Sequence, residues 1–245
     1  MRSVLYRLLL IIFFASCRKE TESLNAVTVT QIYPLAVGKV FFYRMDSTVT
    51  INFSSSLATH SYHAKDSIES TFLDATGRTN FRIFRYVRDT ADTQDWKFIA
   101  TNYATITNDR VEYVENNLRY ITMTNPISAN TSWKGNSYIN TTQGVSPYDY
   151  LYDWDFQYQN LDLPFTCLNG TFQNTYTVLQ QDYLHPEIFI DTIRNDRNYS
   201  KEVYAKGVGL IYKEFLHWTW QGNPKAQGKY DDNSWGVKLN LINYK

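Results

Sequence analysis

Residues 40–53 read Val-Phe-Phe-Tyr-Arg-Met-Asp-Ser-Thr-Val-Thr-Ile-Asn-Phe. Apolar and polar side chains alternate along this stretch. The apolar ones include Phe41, Tyr43 and Met45, and again every second residue from Val49. Alternation of this length predicts a β-strand with one buried face and one solvated face. The fold class of the chain depends on how often this pattern recurs.

Similar segments follow at the spacing expected of successive hairpins. We predict strands over residues 60–73, 79–88, 96–107, 111–115, 118–124, 172–181, 186–194, 210–220 and 236–244, a loop over 195–198 and a short helical turn over 199–205. Aromatic residues make up 16% of the chain, and they favour the half-buried surface of a sheet. The sequence therefore predicts a mainly β protein, with a single antiparallel β domain over residues 32–245. A strongly curved sheet, a barrel or a sandwich would each accommodate so many short strands, with little helix outside the N-terminal segment.

The N-terminal residues have the order typical of a secretory signal peptide. Arg2 and Arg7 flank the start of an apolar run over residues 8–14, and Ala15-Ser16 precede Cys17. That run is too short to span a bilayer, which requires about 20 apolar residues. Because the Phe-Ala-Ser-Cys end resembles a bacterial lipobox, we predict a signal peptide over residues 1–16 and lipidation of Cys17. Acyl chains such as palmitate on Cys17 would anchor the protein, with residues 17–31 as a tether.

The charge balance argues against a nucleic-acid partner. The chain has 24 basic and 24 acidic residues, and loss of Arg2 and Arg7 with the signal peptide would leave a net charge of −2. Binding to nucleic acid requires a clustered basic face. Beyond the lipid itself, this composition provides no electrostatic attraction to a membrane.

The cysteines and histidines provide no convincing reactive site. If Cys17 carries lipid, Cys167 has no disulfide partner, and its apolar neighbours predict a buried small side chain. His60 and His63 would lie on opposite faces of a strand, which disfavours a shared metal. His217 lies between Leu216 and Trp218, where a core or groove position is expected. We therefore predict no metal and no cofactor.

Residues 147–166 offer carboxylates and aromatic rings. Asp149, Asp153 and Asp155 are close in sequence, and paired carboxylates can hydrolyse a glycosidic bond or, together with carbonyls, bind Ca²⁺. The polar side of an amphipathic strand is the alternative explanation. The candidate ligand-binding residues are Trp154, Tyr158, Trp218 and Trp220, whose rings would form a stacking platform on an open face or part of the core on a covered one.

Several segments resemble uncharacterised envelope lipoproteins of the phylum Bacteroidota. They are Pro34–Gly38, Asp74–Arg78 with Phe81–Tyr86, Glu115–Ile121, Trp133–Asn136 and Tyr204–Ile211. The resemblance covers most of residues 31–243. It implies an envelope location and a β-rich fold, and it assigns no catalytic residue.

These observations favour a lipid-anchored envelope protein that acts as a binding or interaction module without catalysis. We expect it at the outer membrane, on the periplasmic or the cell-surface face, with a glycan or an envelope protein as partner. A glycan hydrolase that uses the paired carboxylates and a lipid carrier are the alternatives.

Overall fold

The computed structural model describes residues 26–245. The predicted signal peptide, Cys17 and the first part of the tether lie outside these residues. The elements are helix α1 (Val29–Ile32), a 3₁₀ turn (Asp149–Leu151) and strands β1 (Val40–Ile51), β2 (Ser56–Leu73), β3 (Thr79–Asp89), β4 (Lys97–Ile106), β5 (Arg110–Glu115), β6 (Leu118–Thr124), β7 (Ser132–Trp133), β8 (Phe156–Cys167), β9 (Gly170–His185), β10 (Asn195–Ala205), β11 (Gly209–Gln221), β12 (Lys229–Tyr230) and β13 (Trp235–Tyr244).

The strands form one antiparallel sheet in which most neighbours in space are also neighbours in sequence. Its order is β6-β5-β4-β3-β2-β1-β13-β11-β10-β9-β8-β7, with β12 added beside β11. The two edges approach each other, because the Ile121 backbone N–H donates to the Gly135 carbonyl at 2.7 Å and the Trp133 indole donates to the Ile121 carbonyl at 2.7 Å. The sheet is therefore strongly curved and nearly closed. The predicted fold class, mainly β with an antiparallel curved sheet, is confirmed.

Strand β1 shows how burial changes along the inside of the sheet. Phe41 and Tyr43 are buried, and the Tyr43 hydroxyl donates to the Leu210 carbonyl at 3.0 Å. From Met45 onward every residue of the strand is half-buried. The inward residues Met45 and Ser47 border a cavity instead of packed side chains. The sequence alternation therefore continues along the strand although complete burial does not.

Helix α1 covers one end of the interior. Val29 and Ile32 are fully buried, and Tyr33 packs edge-to-face on Tyr204 with ring centroids 5.6 Å apart. The backbone N–H of Gly207 donates to the Gln31 carbonyl at 2.9 Å, which holds the helix against the β10–β11 turn. The packed part of the chain therefore begins upstream of residue 32, the boundary expected between the tether and the domain.

The region from 186 to 205 differs from the prediction. Residues 186–194 form a loop instead of a strand, and the segments predicted as a loop and a helical turn form strand β10, Asn195–Ala205. The inward side chains of β10 include Ser200 and Glu202, which are buried but polar, so no apolar alternation marks the strand. The apolar residues Ile188 and Phe189 are typical of a strand sequence, yet both side chains are exposed.

Helices contribute little to the described part of the chain. Across residues 26–245, none of the helical segments is both long and apolar enough to span a bilayer.

Candidate functional site

A cavity of about 240 Å³ lies inside the curved sheet. The apolar residues of its lining, named here the apolar wall, include Met45, Ile99, Leu118, Phe215, Trp235 and Val237. The polar residues of its lining, named here the polar wall, include Arg85, Asn102, Glu115, Gln180, Ser200, Glu202 and Lys213. The lining comes from strands at distant places in the sheet order, which curvature brings face to face. The cavity therefore combines an apolar surface with a polar one.

A chain of ion pairs forms the polar wall. The Arg85 guanidinium makes two bonds of 2.7 Å to the Asp66 carboxylate and one of 2.8 Å to Glu115. The Lys213 ammonium lies 2.5 Å from Glu115 and 3.5 Å from Glu202. All five side chains are at most 16% exposed. Ions taken from water into such a site are tolerated because each has an opposite charge in contact.

The ion pairs keep their charges across a wide pH range. Burial by itself would raise the pKa of Glu115, but the charges of Lys213 and Arg85 outweigh that effect and lower the pKa to about 2. Burial would lower the pKa of Lys213, yet Glu115 and Glu202 raise it above its usual value. The pKa of Arg85 is raised as well, because Asp66 outweighs the effect of burial. These groups are therefore fully charged near neutral pH.

Asn102 is the unusual member of the polar wall. It lies on β4, is 1% exposed, and borders the cavity. Within residues 26–245, neither its amide oxygen nor its amide nitrogen has a hydrogen-bond partner. A buried polar group left unpaired costs about 1–3 kcal/mol of stability. Such a group therefore requires an explanation that the packing of the described residues does not provide.

A second, more open cleft of about 530 Å³ surrounds His217. Asp149, Asp196 and Asp231 line it, and the His217 ring stacks on Tyr150 with centroids 4.0 Å apart. Burial lowers the pKa of His217 to about 4, although Asp196 acts in the opposite direction. His217 is therefore neutral at pH 7.

The hydrogen bond of His217 defines its tautomer. Its Nδ1 atom lies 2.6 Å from the Asn198 side-chain oxygen, so with that amide orientation Nδ1 carries the proton and donates it. The Nε2 atom then holds a lone pair, and no group in the described part of the chain donates to it. No set of three or more His, Cys, Asp or Glu side chains within residues 26–245 is arranged to hold a metal ion.

The four aromatic candidates from the sequence have different surroundings. Trp154 and Tyr158 are at most 2% exposed, Trp220 is also buried, and Trp218 is half-buried. The Tyr158 hydroxyl donates to the Thr124 carbonyl at 2.6 Å, and the Trp220 indole donates to the Asp191 carbonyl at 2.9 Å. Trp154 alone of the four lines both the cavity and the cleft.

The structure separates the candidate carboxylates. Asp153 and Asp155 are 71% and 63% exposed, and both contact the Lys134 ammonium, at 2.7 and 3.0 Å. Asp149 lies instead in the cleft, where it accepts a hydrogen bond of 3.1 Å from the Gly144 backbone N–H. Asp153 and Asp155 thus form a solvated ion-pair cluster on the surface.

Sequence reasoning missed the polar residues of the cavity wall. In the sequence, the stretches that contain these residues look like ordinary amphipathic strands. The residues are Arg85, Asn102, Glu115 and Lys213. Their common signal is a polar residue at a position where strand periodicity expects an inward apolar one. That signal becomes visible only when the inward face of each strand is known.

Comparisons with known proteins leave the family open. No protein-family model and no curated protein matches the chain. One similar solved structure is a Bacteroides fragilis protein provisionally described as exported and having a YmcC-like fold (10% identity, TM-score 0.39). Another is a protein of Parabacteroides distasonis provisionally described as a lipoprotein (12% identity, TM-score 0.40). In both cases the similarity covers 87% of this chain and 98% of the other. Similarity at this level establishes neither a family nor a function.

Proposed function

We propose that this chain is an envelope lipoprotein, anchored in the outer membrane by lipid on Cys17, whose β domain binds a small ligand without catalysis. The observation that carries the binding function is the interior cavity of about 240 Å³, whose lining combines apolar and polar side chains. The anchor rests on the sequence of residues 1–17.

The size of the cavity supports a small ligand. A cavity of about 150 Å³ lined by apolar side chains is large enough to bind benzene. The present cavity is larger and has polar groups at defined positions. Pockets of this composition, mostly apolar with a few placed polar groups, are typical of small-molecule sites. The ligand is therefore expected to be amphipathic and somewhat larger than a single benzene ring.

The chemistry of the lining favours binding over catalysis. General acid–base catalysis needs a group whose pKa lies near the working pH. In the cavity wall the pKa of Glu115 moves down to about 2, and burial raises the pKa values of Tyr113 and Tyr120. Each of these shifts moves the pKa of the group further from neutral pH. The Asp153 and Asp155 carboxylates, the basis of the glycan-hydrolase alternative, lie outside the cavity lining.

The anchor is tested by fractionation of cells that express the full chain. Wild-type protein should be recovered with the membranes and should carry the mass of acyl chains. A Cys17→Ser variant should lose that mass and appear in the soluble fraction. Recovery of both proteins in the same fraction with the same unlipidated mass would contradict the anchor.

The binding function is tested with a cavity-filling substitution. Ala100 lines the cavity, so Ala100→Leu should reduce its volume, whereas Ala91→Leu places the same group on an exposed loop. A thermal-shift screen of small amphipathic molecules against the full chain identifies binders. A ligand at 100 times its Kd adds about 2.7 kcal/mol of stability.

The expected result separates the two variants. The thermal shift should persist in Ala91→Leu and disappear, or need at least about tenfold more ligand, in Ala100→Leu. A binder whose shift is unchanged in a folded Ala100→Leu variant would place the site elsewhere.

A further inference from the structure

We propose that the cavity selects a neutral ligand bearing a carboxamide or related amide, which pairs with the side chain of Asn102. This inference rests on the proposed binding function and adds the chemical class of the ligand. The observation behind it is that both polar atoms of a buried side chain at the cavity wall lack a partner within the described residues.

Asn102 differs from other buried asparagines of the protein. Asn80 donates to the Arg78 carbonyl at 3.0 Å and accepts a bond from Thr105. Asn195 makes three hydrogen bonds to the backbone of the preceding loop. Buried polar groups are paired in the great majority of cases. The unpaired amide of Asn102 therefore sets it apart from these two buried asparagines.

The geometry of a primary amide defines its complement. Asn102 presents one acceptor oxygen and one donor nitrogen side by side in a plane. A second amide, with its own donor and acceptor, is the simplest group that satisfies both atoms together. Both amide atoms are buried in the ligand-free structure, so binding requires the amide plane to turn toward the cavity about the terminal torsion, which is broad in asparagine.

The charges of the wall argue against an ionic ligand. Arg85 and Lys213 bring two positive charges to the lining, and Glu115 and Glu202 bring two negative ones. These charges are in contact with one another, and Asp66 binds Arg85 from behind. Each of the five groups already has an opposite charge in contact, so a carboxylate or an ammonium ion would lose its hydration on entry without meeting an unpaired charge. A neutral polar group avoids that cost.

The apolar wall determines the remainder of the ligand. Met45, Phe215 and Trp235 line the cavity together with aliphatic side chains. An aromatic or branched aliphatic body would cover them and remove apolar surface from water. The inferred ligand is therefore an amide on a compact apolar body.

Three probes of nearly equal shape test this inference: phenylacetamide, phenylacetate and isobutylbenzene. Their binding to the full-length wild-type protein is measured by calorimetric titration. Phenylacetamide should bind at least about tenfold more tightly than either of the others, since two hydrogen bonds to Asn102 are made only by the amide. Equal affinities for the amide and the hydrocarbon would overturn the inference.

Asn102→Leu removes both polar atoms and nearly preserves shape, and Asn130→Leu makes the same change at an exposed position. Asn102→Leu should lose the preference for phenylacetamide and bind isobutylbenzene at least as well, whereas Asn130→Leu should behave as wild type. Persistence of the amide preference in Asn102→Leu would overturn the inference. If Asn102→Leu does not fold, Asn102→Ala provides the same comparison.

Stability provides a second readout. Because Asn102→Leu replaces an unpaired buried amide with an apolar group, its melting temperature without ligand should equal or exceed that of wild type. A large fall in melting temperature in both Asn102→Leu and Asn102→Ala would show that the amide already stabilises the fold and would also overturn the inference.

The outcomes separate the two proposals. Binding of isobutylbenzene without any preference for phenylacetamide would agree with the proposed binding function. It would contradict the inference that the ligand carries an amide. Absence of binding by all three probes would contradict the cavity as the ligand site, and the inference would fail with it.

Discussion

The Lys213 ammonium on β11 lies 2.5 Å from the Glu115 carboxylate on β5, and the two residues are 98 positions apart in the sequence. In the sheet order, β4, β3, β2, β1 and β13 lie between these strands. The pair therefore spans the interior and joins two walls of the curved sheet. Arg85 on β3 extends the connection, since it binds the same carboxylate.

Removal of one partner should destabilise the fold strongly. Lys213→Met leaves Glu115 with one cation instead of two and leaves Glu202 with none in contact among the residues described. Breaking a buried ion pair in this way costs about 3–5 kcal/mol. Urea titration monitored by tryptophan fluorescence measures the loss in unfolding free energy.

Two further variants test whether the lost ion pair causes the loss in unfolding free energy. The double variant Lys213→Met with Glu202→Gln should recover part of the loss, because it removes the carboxylate that Lys213→Met leaves without a cation in contact among the residues described. Lys201→Met, at a half-buried position where the ammonium lies over aromatic rings, should cost about 1 kcal/mol or less. A Lys213→Met variant as stable as Lys201→Met would show that the interior ion pairs contribute little.

Two neighbouring glycines should respond differently to the same substitution. Gly207 and Gly209 both have positive φ angles, +80° and +108°, so alanine at either position costs about 1–2 kcal/mol in backbone strain. A Cβ on Gly207 has no neighbour within 4 Å, whereas a Cβ on Gly209 would lie 2.9 Å from the Tyr33 ring. Gly209→Ala must therefore also shift the Tyr33 ring or the turn, and the ring packs on Tyr204.

We expect Gly209→Ala to lose roughly 1–3 kcal/mol more than Gly207→Ala, as is typical of overpacking. Equilibrium unfolding in urea measures both losses, and near-ultraviolet circular dichroism reports the tyrosine environment. Equal losses in the two variants would mean that Tyr33 adapts without cost and that helix α1 is loosely held.

His217 should make stability depend on pH. Its pKa is about 4 in the folded protein, because of burial, against 6.5 for the unperturbed side chain. Between these values the unfolded chain binds a proton that the folded protein does not, so stability rises with pH across this window. As the pH falls from about 6.5 to about 4, the folded state should lose on the order of 3 kcal/mol.

Unfolding free energies measured at intervals between pH 4 and 7 test this slope. His217→Gln should flatten it, whereas His185→Gln, at an exposed position, should leave it unchanged. An unchanged slope in His217→Gln would assign the pH dependence to other groups.

Strands β1 and β10 show how far hydrophobic periodicity predicts the strands of this protein. The alternation identified β1 and the burial of Phe41 and Tyr43, since strand geometry places every second side chain on the same side. It did not hold at Phe53, which lies beyond the end of β1 and is exposed. The same reasoning failed at β10, where Ser200 and Glu202 face inward. Hydrophobic periodicity detects a strand only when its inner face is apolar.

The pattern of side chains along the chain was sufficient to determine the fold class, because strand alternation and turn residues are local properties. Its choice of Trp154 as a ligand-binding residue stays a prediction. The cavity, the Lys213–Glu115 pair and the unpaired amide of Asn102 were decided by tertiary structure alone. They arise when curvature brings strands that are distant in the sequence to opposite sides of one interior, and no local pattern records which side chains then meet.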